Sequence, residues 1–263
     1  MGVLNVTPDS FSDGSRFLDP DAALARAESM VEEGAAILDI GGESTRPGAF
    51  RVDSAEELRR VLPVVERVAA RLPVLISVDT SNPELMRRAR AAGAHMINDV
   101  RALRSTQALE AAAESDLAVC LMHMQGEPAT MQRDPHYTDV VAEVRSFLEG
   151  RALACVAAGI RRERLCLDPG FGFGKTTAHN LELLQHLQQF EELGLPIAVG
   201  LSRKSFVNAL TGRAQGERLA GSLALATIAV LHGARIVRAH DVAASVDAVR
   251  IANAARNRDV EES

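Results

Sequence analysis

Cysteine is scarce in this chain, positive charge is not in excess, and no apolar run is long. The three cysteines, Cys120, Cys155 and Cys166, form no Cys-x-x-Cys pair. An odd, unpatterned set excludes a disulfide scaffold and a cysteine zinc site, and points to a reducing compartment, the cytoplasm. With 29 Lys and Arg against 35 Asp and Glu, the formal net charge is -6. No basic stripe is present, which excludes nucleic acid as a partner. An acidic protein that binds an anionic substrate must gather positive charge locally, so a small Arg/Lys/His cluster is the feature to find. The apolar runs are too short to span a bilayer, so no membrane partner is expected. No charged stretch followed by an apolar one precedes the first motif, so no secretory signal is expected.

What is present is a repeated unit of strand, loop and helix. Candidate strands lie at 3–6, 37–40, 74–79, 96–99, 118–122, 165–168, 197–201 and 236–238. Short apolar runs separated by helical patterns imply βαβ units and a parallel sheet. Eight of them in 263 residues predict one α/β domain over 1–263, a single (β/α)₈ barrel with its site at the C-terminal rim of the strands. Helix signals agree. Asp19 with Pro20 opens one helix and Gly34 closes it; Asn82 with Pro83 opens another and Gly93 closes it. Ser54-Ala55-Glu56-Glu57 reads as a capping box. The apolar series Leu58, Val61, Leu62, Val65, Val68, Ala69 and Leu72 follows it at helical spacing, and Pro63 inside that series is expected to kink or weaken the helix.

Gly34, Gly93 and Gly233 each start a Gly-Ala-x-apolar-apolar-polar hexad, ending on Asp39, Asn98 and Arg238. The glycine ends a helix, the apolar pair enters a buried strand, and the polar residue should emerge at the strand's C-terminal end. The same logic gathers Asn5, Asp39, Asp79, Asn98, Asp99, His123, Asp168, Ser202-Arg203-Lys204, Arg238 and His240 on one rim. Any one of them is explained by a strand end meeting solvent; the whole set is not. Gly170-Phe171-Gly172-Phe173-Gly174-Lys175 resembles a phosphate loop, but it has three residues where a P-loop has four, and it lacks the dinucleotide spacing. No Ser-His-Asp or Cys-His set is evident, which argues against covalent catalysis.

Several segments resemble the signatures of dihydropteroate synthases. Leu4-Asn5-Val6-Thr7-Pro8-Asp9-Ser10-Phe11-Ser12-Asp13-Gly14 is similar to the first, and Asp39-Ile40-Gly41-Gly42-Glu43-Ser44-Thr45-Arg46-Pro47-Gly48 to the second. Ser77-Val78-Asp79-Thr80, Ile97-Asn98-Asp99, the run from Cys120 to Gly126, Asp168-Pro169-Gly170-Phe171-Gly172-Phe173-Gly174-Lys175 and Gly200-Leu201-Ser202-Arg203-Lys204-Ser205 follow in the expected order. The last motif, Arg238-Ala239-His240, has alanine where the family more often has valine. The front is expected to be slightly shortened relative to most members.

The resemblance implies the condensation of 6-hydroxymethyl-7,8-dihydropterin pyrophosphate with p-aminobenzoate in folate biosynthesis. It implies Asp79, Asn98, Asp168 and Lys204 as pterin ligands; a carboxylate suits the adjacent N–H donors of a pterin edge. Asn5, Arg238 and His240 are the implied pyrophosphate ligands. Phe11, Thr45, Arg46, Pro47, Phe173 and Ser205 are implied for p-aminobenzoate, with the loops 7–17 and 44–52 closing over it. Mg²⁺ is the implied cofactor, held by the amide oxygen of Asn5, with Asp13 acting through a water. Arg203 has a bland alternative as a solvated surface charge. The family is generally dimeric, so a homodimer is expected, with the apolar-striped 242–257 helix as one candidate surface. Sulfonamides resemble p-aminobenzoate and are the implied inhibitors. The rivals are a pterin-binding barrel without synthase activity, a non-catalytic paralogue and a nucleotide hydrolase. The pyrophosphate cluster and long loop signatures weigh against the first, the intact Asn5, Arg46 and Lys204 against the second, and the failed P-loop against the third.

Overall fold

A computed structural model describes residues 1–7, 20–44 and 52–257. Eight strands appear in order: β1 (Gly2–Asn5), β2 (Ile37–Gly41), β3 (Leu75–Asp79), β4 (Met96–Asp99), β5 (Ala118–Met122), β6 (Leu165–Asp168), β7 (Ala198–Gly200) and β8 (Ile236–Arg238). Among the described residues the helices between and after them are α1 (Pro20–Glu32), α2 (Ser54–Arg71), α3 (Pro83–Ala89), α4 (Ala108–Ser115), α5 (Val140–Ala157), α6 (Thr177–Gln185), α7 (Ser205–Thr211), α8 (Leu219–Leu231) and α9 (Val242–Asn257).

Strands β1 to β6 pair in sequence order, every pair parallel, and β7 pairs with β8. Two seams complete the ring. The Leu167 N–H donates to the Pro196 carbonyl at 2.9 Å, which joins β6 to the start of β7. The Val3 N–H donates to the Ala239 carbonyl at 3.0 Å and the Ala239 N–H to the Met1 carbonyl at 2.9 Å, which joins β8 to β1. The expected (β/α)₈ barrel is therefore present.

Side chains alternate across each strand. Leu4, Leu38, Ile40, Ile76, Ile97, Val119, Leu121 and Leu167 are buried under the helices in one continuous core. Fully burying each such aliphatic contributes about 1.5–3 kcal/mol. The alternate set fills the barrel. Met96, Cys120, Cys166 and Ala198 form a separate cluster, and the polar residues lie above it.

One local expectation fails, and another leaves the helix continuous. Pro63 lies inside α2, which runs through it for 18 residues. Its ring is exposed, and so is Arg59, whose carbonyl loses the N–H partner and can be hydrated instead. The helix cap is Asp53, not Ser54: the Asp53 carboxylate accepts from the Ala55 N–H at 3.0 Å. Glu57, freed from a capping box, is buried and accepts from the Thr80 hydroxyl at 2.6 Å. Asn82 caps α3 as expected, whereas Asp19 lies outside the described residues.

Candidate active site

The β2–β3–β8 side of the rim is built on charge. Arg238 ends β8 and reaches across the barrel. Its Nε donates to Asp39 Oδ2 at 2.5 Å and an Nη to Asp79 Oδ2 at 2.7 Å. Asn98 Nδ2 donates to the same Asp39 oxygen at 3.1 Å. Asp39 is wholly buried, and its other carboxylate oxygen makes no hydrogen bond within the described residues. Burial alone would lower the Arg238 pKa, but Asp39 and Asp79 outweigh it and hold the guanidinium charged. Burial pushes the Asp79 carboxyl up to about 7; Arg238 opposes the rise, while Asp39, Asp99 and Glu57 add to it. A polar cleft of about 600 Å³, lined by Glu43, Glu57, Ser81 and Arg101 among others, reaches Asp79 from outside.

The β5–β6 side sets one carboxylate, Asp168, beside a cluster of neutral acceptors. Asp168 ends β6, and its Oδ1 accepts from the Gly170 N–H at 2.8 Å. Burial raises the Asp168 pKa, opposed by that N–H and by Lys204. The following turn has Gly170, Gly172 and Gly174 at φ of +71, +78 and +60. A Cβ on Gly170 would lie 1.9 Å from the His123 carbonyl oxygen, so only glycine fits there. Lys175 folds back beneath the turn, 3% exposed. Its Nζ donates to the Gly170 carbonyl at 2.9 Å and the Phe173 carbonyl at 3.1 Å, and meets His123 Nδ1 at 2.9 Å. Burial lowers the Lys175 pKa to about 7 and that of His123 to about 2. His123 is therefore a neutral acceptor at Nδ1. Phe173 is buried, and the Lys204 ammonium lies 4.1 Å from its ring centroid. Burial lowers the Lys204 pKa to about 8, opposed by Asp168.

The loops after β7 and β8 are stitched together. The Ser202 hydroxyl oxygen accepts from the His240 N–H at 3.2 Å and lies 3.0 Å from His240 Nδ1. Arg203, at φ +59, forms a two-pronged ion pair with Asp241 at 3.0 and 2.5 Å. That makes it an exposed charge whose ion pair ties the two loops together. Ser205 opens α7 and is exposed, and Asn5 ends β1 half-buried.

The barrel thus brings Asn5, Asp79, Asn98, Asp168, Phe173, Lys204, Ser205, Arg238 and His240 to one rim. Phe11, Asp13, Thr45, Arg46 and Pro47 lie outside the described residues. Two members of the sequence-derived rim belong elsewhere. Asp39 pairs in register with Ser77, two residues before Asp79, so it sits a layer below the rim. Asp99 is buried and accepts from Ser81, the Arg101 N–H and the Leu103 N–H, so it fixes the next turn. Lys175 and Glu57 carried no sequence signal of their roles, because their partners are distant in the chain. The hexad did flag Asp39, though not its partners. Among the described residues no group of three or more His, Cys, Asp or Glu could hold a metal ion. A single amide oxygen such as that of Asn5 suits Mg²⁺, which keeps waters and takes phosphate oxygens.

Comparison with known proteins gives a consistent result. A family model described as pterin binding enzyme matches residues 1–240. The dihydropteroate synthase of Escherichia coli K12 is 54% identical over 254 residues, covering 97% of this chain and 90% of that protein. The structure of Yersinia pestis dihydropteroate synthase with a sulfonamide drug complex superposes with a TM-score of 0.93 at 51% identity, covering 97% and 93% of the two chains. That of Xanthomonas albilineans dihydropteroate synthase with 4-aminobenzoic acid gives 0.92 at 53% identity, covering 98% and 92%.

Proposed function

The chain belongs to the pterin binding enzymes, within them to the dihydropteroate synthases, and on that premise we propose how its residues join a pterin pyrophosphate to p-aminobenzoate. The product is 7,8-dihydropteroate, with pyrophosphate released. The observation that carries the reading is the placement of Arg238 between Asp39 and Asp79, at the edge of the Asp79, Asn98, Asp168 and Lys204 rim. Acceptors for a pterin edge and a fixed cation for its anionic leaving group stand side by side.

In this reading Asp79, Asn98 and Asp168 take the pterin's N–H donors, and Lys204 donates to its carbonyl and nitrogen side. Arg238, His240 and Asn5 hold the pyrophosphate, and the guanidinium stabilises the charge that develops as it leaves. Mg²⁺, when bound through Asn5 with Asp13 assisting through a water, supplies further neutralisation of that charge. The electron-rich pterin spreads the positive charge left on its methylene, and the arylamine attacks that carbon and gives up one N–H proton, for which the released pyrophosphate is an acceptor. Phe173, Ser205, Phe11, Thr45, Arg46 and Pro47 hold p-aminobenzoate, and closure of the two loops keeps water away. Sulfonamides, as mimics of that substrate, are expected to compete with it.

The reading takes 1–263 as one barrel domain that works in the cytoplasm as a homodimer. No helix among the described residues is long and apolar enough to cross a membrane. Leu219, Ile228 and Leu231 on α8 and Ile251 on α9 are exposed on helices packed together, which supports a self-association surface.

The test is product formation from 6-hydroxymethyl-7,8-dihydropterin pyrophosphate and p-aminobenzoate, with Mg²⁺ and with the metal removed. Magnesium-dependent dihydropteroate is expected. No product, with tight pterin binding retained, would move the assignment to a pterin-binding barrel that is not a synthase.

A further inference from the structure

We propose that Lys175 is a positioning residue for the p-aminobenzoate half of the reaction. Its ammonium fixes the 170–174 turn, and through it holds the Phe173 ring against Lys204. The inference rests on the reading above of Phe173 and Lys204 as substrate-contacting groups.

The turn needs a fastener. Gly170, Gly172 and Gly174 all lie in the left-handed region, so the segment has wide conformational freedom and little local preference. Lys175 supplies three donors to three acceptors: the carbonyls of Gly170 and Phe173, and His123 Nδ1 on the neighbouring segment after β5. Other contacts set the rest of the loop. Gly172 N–H donates to Asn180 Oδ1 at 2.7 Å, and the Tyr137 hydroxyl donates to the Gly174 carbonyl at 2.9 Å. The Phe173 N–H donates within the turn to the Gly170 carbonyl at 3.1 Å, and among these side chains Lys175 is the one that grips the Phe173 backbone, at its carbonyl.

The choice of residue is informative. Lys175 is buried, yet its hydrogen-bond partners are all neutral. The charged groups acting on it are Asp168 from β6, which favours the ammonium, and Lys204 from the loop after β7, which disfavours it. Tyr137, from the stretch before α5, places its ring centroid 6.0 Å from Nζ. A side chain selected for packing alone would be methionine, which fills the same space without the cost of burying a charge. The ammonium is explained by what it orders. Asp168 depends on it less, because it ends β6 and its backbone is held by β5, with the His123 N–H donating to its carbonyl at 2.9 Å.

That difference sets the test. In Lys175→Met, the KM for p-aminobenzoate should rise at least tenfold, while the dissociation constant for 6-hydroxymethylpterin, by calorimetry, stays within threefold of wild type. Equal losses for both ligands, or no change in either beyond a lower Tm, would overturn the proposal. If Lys175→Met does not fold, His123→Leu removes one acceptor and should raise the same KM by a smaller factor, with His123→Gln restoring it. An unchanged KM in His123→Leu overturns the proposal equally. Wild-type enzyme run alongside separates the cases: absence of product there would count against the functional assignment, not against the role of Lys175.

Discussion

Two walls of one barrel rim each draw a cation in from solvent, Arg238 partly and Lys175 fully buried, and they solve that problem differently. On the β2–β3–β8 wall, Arg238 meets two carboxylates and stays charged. On the β5–β6 wall, Lys175 meets two carbonyls and an imidazole, and burial brings its pKa down to about 7. The first arrangement fixes a permanent charge at the rim, where the proposed reaction has its anion leave. The second orders a backbone turn and adds little field of its own. The contrast teaches that burial alone does not mark a catalytic charge. The partners of the cation decide whether it acts on substrate or on the scaffold.

Removing the charge from the first wall should have the largest effect. Arg238→Ala leaves Asp39 and Asp79 as buried carboxylates without a counter-ion, which costs about 3–5 kcal/mol. Denaturant unfolding should show that loss, and affinity for the pterin pyrophosphate should fall far more than affinity for the pterin without it. A loss below about 1 kcal/mol would erase the distinction between the walls.

Asp79→Asn tests the same wall at its substrate-facing end. The fold should persist, while pterin affinity by calorimetry drops by about 1.5–3 kcal/mol, the worth of a hydrogen bond to a charged group. In the proposed function the Asp79 carboxylate is the form that accepts pterin N–H groups, and its pKa is raised to about 7. Pterin affinity should therefore weaken as pH falls below about 7, and Asp79→Asn should lack that acid limb. An acid limb of equal size in the variant would assign it to another group. The smallest change is expected at Arg203→Gln. The pair with Asp241 is partly exposed, so stability should move by no more than about 1 kcal/mol. A larger loss would make the stitch between the β7 and β8 loops a third structural centre.

The parts of this architecture that were legible in the sequence are those carried by local pattern. The Gly-Ala hexads marked where helices end and strands begin, and the strand ends delivered Asp79, Asn98, Asp168 and Arg238 to one rim. Strand bounds differ from the pattern by a residue or two, as at β7, where 197–201 narrows to Ala198–Gly200. What escaped was set by distant partners. Asp39 read as a rim residue because its hexad matched those of Asn98 and Arg238, but its register with Ser77 places it deeper. Glu57 read as half of a capping box, yet Thr80 on another element claims it. His123 read as a rim residue, and the buried ammonium beside it gives it a scaffold role. Lys175 looked like part of a failed phosphate loop, because only the folded turn reveals what its ammonium grips.

The seam between β1 and β8 has a consequence for how the chain is made. Val3 bonds to Ala239, at the opposite end of the barrel's sequence. During synthesis from the N-terminus, the outer edge of β1 emerges long before its partner does. Until then the growing sheet has an open edge, a template for pairing with other chains. Contacts of such long sequence separation also close slowly. The nascent chain therefore passes through a long interval in which a folding helper that shields strand edges would raise its yield, and the last strand to leave the ribosome ends that exposure.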